Sequence, residues 1–156
     1  MRDTSLDLEI SRFVNAPRAR VWRAWSDPAL LVQWWCPKPW TTALRAFDFR
    51  AGGAFHTHMR GPEGGVSDNP GVFLEVEPMT RIVWTSVLGA GWRPLEPWLP
   101  LTGFFTLADE GAGTRYIARC LHRNPEDAKK HAEMDFYDGW DTCITQLEDL
   151  AKSLGD

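Results

Sequence analysis

Phe136, Trp140, Cys143, Ile144, Leu147, Leu150, Ala151 and Leu154 recur at helical spacing along the carboxy-terminal segment, and this unbroken apolar stripe constrains the fold more than any other feature. Such a helix must lay its stripe on another apolar surface. The partner is legible upstream, because from Thr41 to Thr106 the apolar residues recur with period two, the mark of half-buried strands. Phe47 and Phe49 alternate with Asp48 and Arg50, and Ala51-Gly52-Gly53 is a hairpin signal. Ala54–Arg60, Gly71–Glu77, Arg81–Leu88, Leu101–Leu107 and Thr114–His122 read as further strands. Gly61–Asn69 reads as a solvated turn, and Gly89–Pro100 as a long loop bearing Trp92 and Trp98.

The amino-terminal part supplies one more strand and two short helices. Leu6–Ile10 alternates, and Phe13-Val14 extends it. Pro17 suits the first position of a helix whose apolar face is Val21, Trp22 and Trp25. Asp27 caps a second helix opened by Pro28, and Cys36-Pro37 ends its Leu30, Leu31, Trp34, Trp35 stripe. At the other end Asn124, Pro125, Glu126 and Asp127 start a helix that the spacing predicts to run unbroken to Leu154, about 45 Å at about 1.5 Å per residue. The expected architecture is α+β, one domain over residues 1–156. A curved antiparallel sheet of about seven strands wraps around the long helix, and a cavity can form between them.

Charge and cysteine content exclude several functions. With 17 basic and 21 acidic residues the net charge is -4, and no basic block offers the footprint of a nucleic-acid binder. No apolar run is long enough to span a bilayer, and Met1–Ile10 lacks the pattern of a signal peptide. The three cysteines are widely spaced without a C-x-x-C pair, so a cytoplasmic protein with reduced thiols is expected. Cys36, Cys120 and Cys143 read as structural. His56 and His58 share one strand face, but His122 and His131 have no spacing that ties them to it. The pair reads as solvent-facing, and no metal or cofactor is expected.

The exceptional feature is nine tryptophans. Each large aromatic removes about 150–250 Å² from water when buried, so a core of this size needs only a few. Others are left for a concave surface or an interface. One of Trp34 and Trp35 is expected to anchor the core, the other to approach a cavity mouth.

The element order resembles the helix-grip fold of the START and Bet v 1 (SRPBCC) superfamily. Ala16-Pro17 with Val21-Trp22, Gln33-Trp34-Trp35, Asp48–Gly53 and Gly71–Glu75 narrow the likeness, as do Glu77-Pro78 with Arg81-Ile82, Gly113-Thr114-Arg115 and Gly139-Trp140. Together, from about Leu8 to Leu150, they resemble the AHSA1-like family, the domain related to the activator of Hsp90 ATPase. The resemblance implies a ligand cavity between sheet and carboxy-terminal helix, walled by Phe55, Met59, Trp84, Phe105, Phe136, Trp140 and Trp35, with Trp92 and Trp98 on a lid. It implies non-catalytic binding of a small hydrophobic or aromatic molecule. Two alternatives come with it: an enzyme of the cyclase, hydratase or hydrolase kind using the same cavity, and a chaperone-type module that engages an Hsp90 partner. Homodimerisation through the sheet or the aromatic loop stays open.

Overall fold

The first strand, β1 (Asp7–Val14), lies at one edge of an antiparallel sheet and pairs along its whole length with β10 (Gly113–Leu121). The computed structural model describes residues 5–155, so the first four residues of the amino-terminal segment lie outside it. From β10 the sheet continues through β9 (Thr102–Glu110) and β6 (Arg81–Thr85) to β5 (Val72–Glu77). A second group holds β2 (Thr41–Phe47), β3 (Phe55–Arg60) and β4 (Val66–Asn69). Pro70-Gly71 separates β4 from β5, and the Ala54–Val72 bridge stitches the two groups there. Phe55 donates its N–H to Gly71 (3.0 Å) and Phe73 to Gly53 (2.9 Å). β4 and β5 therefore act as one bent strand, and the order β2-β3-β4/β5-β6-β9-β10-β1 makes a seven-stranded curved sheet. Proline cannot donate to a ladder, and glycine marks a close approach, so the bend falls where the sequence permits it.

This corrects the reading of Gly61–Asn69 as one solvated turn. Only Gly61–Gly65 turns, closed by Gly61 N–H to the Gly65 carbonyl at 2.8 Å; Val66–Asn69 pairs with β3. The stretch Gly89–Pro100 is likewise not all loop. β7 (Leu88–Gly89) and β8 (Arg93–Pro94) form a small hairpin across a single 3-10 turn, Ala90–Trp92.

α1 (Arg18–Ser26) and α2 (Pro28–Leu31) follow β1. Asp27 caps α2 as expected, its Oδ1 accepting from Ala29 N–H at 2.9 Å. Pro17 sits one position earlier than expected, at the cap with extended backbone. α2 ends at Leu31, earlier than expected, and α1 and the turns that follow α2 deliver Trp25, Trp34 and Trp35 to the concave side of the sheet. Trp25 is fully buried, with ring centroids 5.0 Å from both Trp35 and Phe105, and its Nε1 donates to Tyr116 Oη at 2.9 Å. Trp34 is fully buried too and donates to the Ala24 carbonyl at 2.9 Å.

The expected long helix is in fact two, α3 (Pro125–Glu133) and α4 (Phe136–Ser153). Asn124 caps α3 through its Oδ1. The buried positions of α3 include Ala128 and His131, and the same face next falls at Asp135, which is exposed. The next buried residue, Phe136, arrives one position late. Asp135 absorbs that slip by turning left-handed (φ 61°, ψ 47°), a conformation that asparagine and aspartate tolerate better than most residues. α4 then buries Phe136, Cys143, Ile144, Leu147 and Ala151 against the sheet and α1. Among the described residues no helix is long and apolar enough to cross a membrane.

Candidate functional site

Where α3 gives way to α4, the helical layer and the bent β3–β4 region stay apart. The space between them is a cavity of about 520 Å³. β3 contributes Phe55, Thr57 and Met59, the alternate residues that face the concave side. β6 and its end contribute Trp84 and Ser86, and Trp35 closes the inner end beside Cys36 and Pro37. The helical wall is His131, Met134 and Phe136 with Gly139, Trp140 and Cys143. Glu96–Leu99 and Leu101 form the mouth.

Of the nine residues expected to contact a ligand, seven come together here: Phe55, Met59, Trp84, Phe136, Trp140, Trp35 and Trp98. The aromatic wall is built edge to face. Trp35 lies 5.4 Å from Trp140 and 5.3 Å from Phe55, at 83° and 69°, the geometry that opposes a positive ring edge to a negative face. Phe105 stands behind this wall instead of on it; fully buried, it supports Trp140 at 5.3 Å and Trp25 at 5.0 Å. Trp92 lies elsewhere, because the β7–β8 hairpin carries it over the Gly52 turn, where it is 56% exposed. Trp98 alone of the loop pair borders the cavity. Its Nε1 donates to Asn69 Oδ1 at 3.0 Å, and Lys130 Nζ donates to its carbonyl at 2.7 Å while lying 5.6 Å over its ring. Trp98 thus ties the mouth to both β4 and α3.

Gly139 matters by what it lacks. A side chain there would meet no atom within 4 Å, since the position opens on the cavity. Gly103 matters by the opposite: a Cβ there would come within 2.9 Å of Phe105 and 3.2 Å of Trp84, so its absence lets Trp84 lie flat on β9.

The sequence reading missed the polar part of the wall. His131 is buried and hydrogen-bonded through Nδ1 to His122 Nε2 at 2.8 Å, and His122 Nδ1 donates to the Leu6 carbonyl at 2.7 Å. Burial, reinforced by the His122 ring, lowers the His131 pKa to about 4. The signal lay in its place on the apolar face of α3, three residues after Ala128. One of the other two histidines also differs from expectation. His58 is buried, not solvent-facing, and both His56 Nε2 and His58 Nδ1 contact Asp68 Oδ1 at 2.9 Å. Those contacts, His58 first, pull the Asp68 carboxyl below its usual value. Among the described residues no group of three or more His, Cys, Asp or Glu is arranged to hold a metal ion.

The thiols are buried and unpaired. Burial raises the Cys36 pKa despite a hydrogen bond from Thr42, and pushes Cys120 and Cys143 up to about 12. A thiol held protonated is a poor nucleophile. The cavity therefore offers apolar surface and a neutral imidazole, while the indole N–H of Trp84 is buried against Gly103 of β9.

The family model described as activator of Hsp90 ATPase homolog 1-like protein matches residues 15–152. A crystal structure of a Nitrosomonas europaea protein is 43% identical, with a TM-score of 0.91 over 97% of both chains. A Mycobacterium smegmatis protein shares the fold at 21% identity and TM-score 0.82, covering 98% of this chain and 94% of its own. The AHSA1-like protein from Aeromonas hydrophila does so at 21% and 0.70, over 95% and 93%. No protein of curated function matches.

Proposed function

The chain belongs to the family of activator of Hsp90 ATPase homolog 1-like proteins, and from that premise we propose that it binds a small hydrophobic or aromatic molecule, without chemistry, in the cavity between sheet and carboxy-terminal helices. The observation that carries this reading is the cavity itself: about 520 Å³, within the range of small-molecule sites, and walled by Trp35, Phe55, Trp84, Phe136 and Trp140. Binding draws on apolar burial, and Trp98 gates the mouth. The reading includes a cytoplasmic setting, supported by three buried, unpaired thiols.

Displacement of a hydrophobic fluorescent dye, with native mass spectrometry of the purified protein, tests it. A dye that binds one to one and is displaced by small aromatics supports the reading. Absence of both dye binding and any co-purifying mass sinks it.

One observation favours a catalytic alternative, the His131 imidazole on the cavity wall. Its lowered pKa weakens it as a base near neutral pH and suits it to accept a hydrogen bond. Turnover of a bound ligand that stops in the His131→Phe variant would reverse the preference.

A further inference from the structure

The chain of contacts from Leu6 to His131 determines which atom an occupant meets. A carbonyl only accepts, so His122 Nδ1 carries a proton toward Leu6. With one proton on each ring, His122 Nε2 is then an acceptor and His131 Nδ1 must donate to it. The nitrogen that His131 keeps for an occupant is Nε2, and it carries a lone pair. The assignment of tautomers follows from the hydrogen bonds alone, anchored at a backbone oxygen that cannot reverse.

Charge narrows the occupant further. Among the described residues no lysine or arginine lines the cavity, whereas Asp68, Glu96 and Asp135 do. Lys130, the cation beside the mouth, is held on the carbonyl and ring of Trp98. A carboxylate ligand would enter facing like charge and find no cationic partner.

We infer that the cavity selects a neutral aromatic molecule bearing a free hydroxyl, with His131 Nε2 accepting from that hydroxyl. A hydroxyl answers that lone pair by donating to it, without bringing a charge into an apolar cavity. An ether accepts only and leaves the imidazole unanswered; an ammonium would have to shed its hydration to meet a neutral imidazole. His122 acts as a positioning residue, holding the tautomer that leaves the lone pair in place. This inference rests on the cavity being a binding site and adds the class of ligand.

Isothermal titration calorimetry at pH 7.5 with 2-naphthol, 2-methoxynaphthalene and 2-naphthoate tests it on the full chain. The expected order is 2-naphthol tightest, about tenfold over 2-methoxynaphthalene, the size of one net hydrogen bond, with 2-naphthoate weakest. In His131→Phe the advantage of 2-naphthol over 2-methoxynaphthalene falls to within about twofold. Equal binding of the alcohol and ether by the wild-type protein, or preference for the carboxylate, overturns the inference but leaves the cavity reading standing. So does an alcohol preference that survives in a folded His131→Phe protein. No binding of any probe overturns the cavity reading along with it. If His131→Phe does not fold, the wild-type order of the three probes decides by itself.

Discussion

At the scale of single residues the protein depends on polar atoms answered deep inside an aromatic core. Trp25 and Tyr116 are both fully buried, and one hydrogen bond joins them. Burial raises the Tyr116 pKa well above its ordinary value, so the phenol stays protonated at any working pH. Tyr116→Phe removes the oxygen but keeps the ring, leaving the Trp25 N–H unanswered. The expected cost is about 1–3 kcal/mol, the desolvation penalty of an orphaned donor, read from the shift in urea midpoint at unchanged slope. A loss below a few tenths would mean that the indole finds another acceptor. His131 sets a second expectation, through pH. Its folded pKa, near 4, lies below the unfolded value of 6.5, so the unfolded chain binds the proton more readily. Stability is therefore full above pH 6.5 and falls as pH drops from 6.5 toward 4, by an amount on the order of 3 kcal/mol. The Asp68 carboxyl, held below 3.8, loses its contribution only in more acidic solution. Urea titrations across this window should slope for the wild-type protein and lie flatter for His131→Phe.

At the scale of elements, the joint between α3 and α4 creates the space. Had the helix run straight to Leu154, His131 and Phe136 could not both be buried, because five residues do not return to the same face of a helix. The left-handed Asp135 makes them neighbours, with ring centroids 5.0 Å apart at 85°. One turn later Gly139 faces the cavity with nothing within reach. Gly139→Ala is expected to stabilise the protein by about 0.5–1 kcal/mol, the gain in helix propensity with no clash. Gly139→Leu should keep the fold but push its side chain into the cavity and weaken dye binding more than tenfold; unchanged binding would mean that the ligand sits elsewhere. Which of these elements the sequence reveals follows from how local their causes are. Caps at Asp27 and Asn124, strand alternation and the α4 stripe are written in neighbouring residues, and all were legible. The helix break was not, since a continuous stripe from Phe136 onward hides a slip that only the burial of α3 makes visible. The site was legible as aromatic side chains on inward-facing positions. Its polar end was not, because Leu6, His122 and His131 meet only through the pairing of β1 with β10 and the docking of α3. The side on which Trp92 would fall was not legible either, since a two-residue hairpin decides it.

At the scale of the molecule, one curved sheet serves two purposes that pull against each other. Around Trp25 it closes on α1, α2 and α4 with Trp25, Trp34, Phe73, Phe105 and Tyr116 fully buried. Beyond the bend at Pro70-Gly71 the same sheet stands off from the α3–α4 joint and leaves large aromatics lining the cavity. Apolar surface left facing a void or a few waters forgoes dispersion contacts that a packed neighbour would supply. An occupant that restores them binds the folded chain and not the unfolded one, so it must stabilise the whole molecule by mass action. At a free concentration of one hundred times Kd the gain is about 2.7 kcal/mol. For a chain of this length that is a rise in Tm of roughly 5–10 °C. Thermal unfolding followed by tryptophan fluorescence or calorimetry should show this rise for a hydrophobic aromatic probe, scaling with the logarithm of its concentration. Gly139→Leu should melt no lower than wild type when empty and show little or no rise with the probe. Equal shifts in both proteins would place the binding surface outside the cavity, on the exposed Trp92 or Tyr137. No shift in either would leave the void as a feature of packing alone.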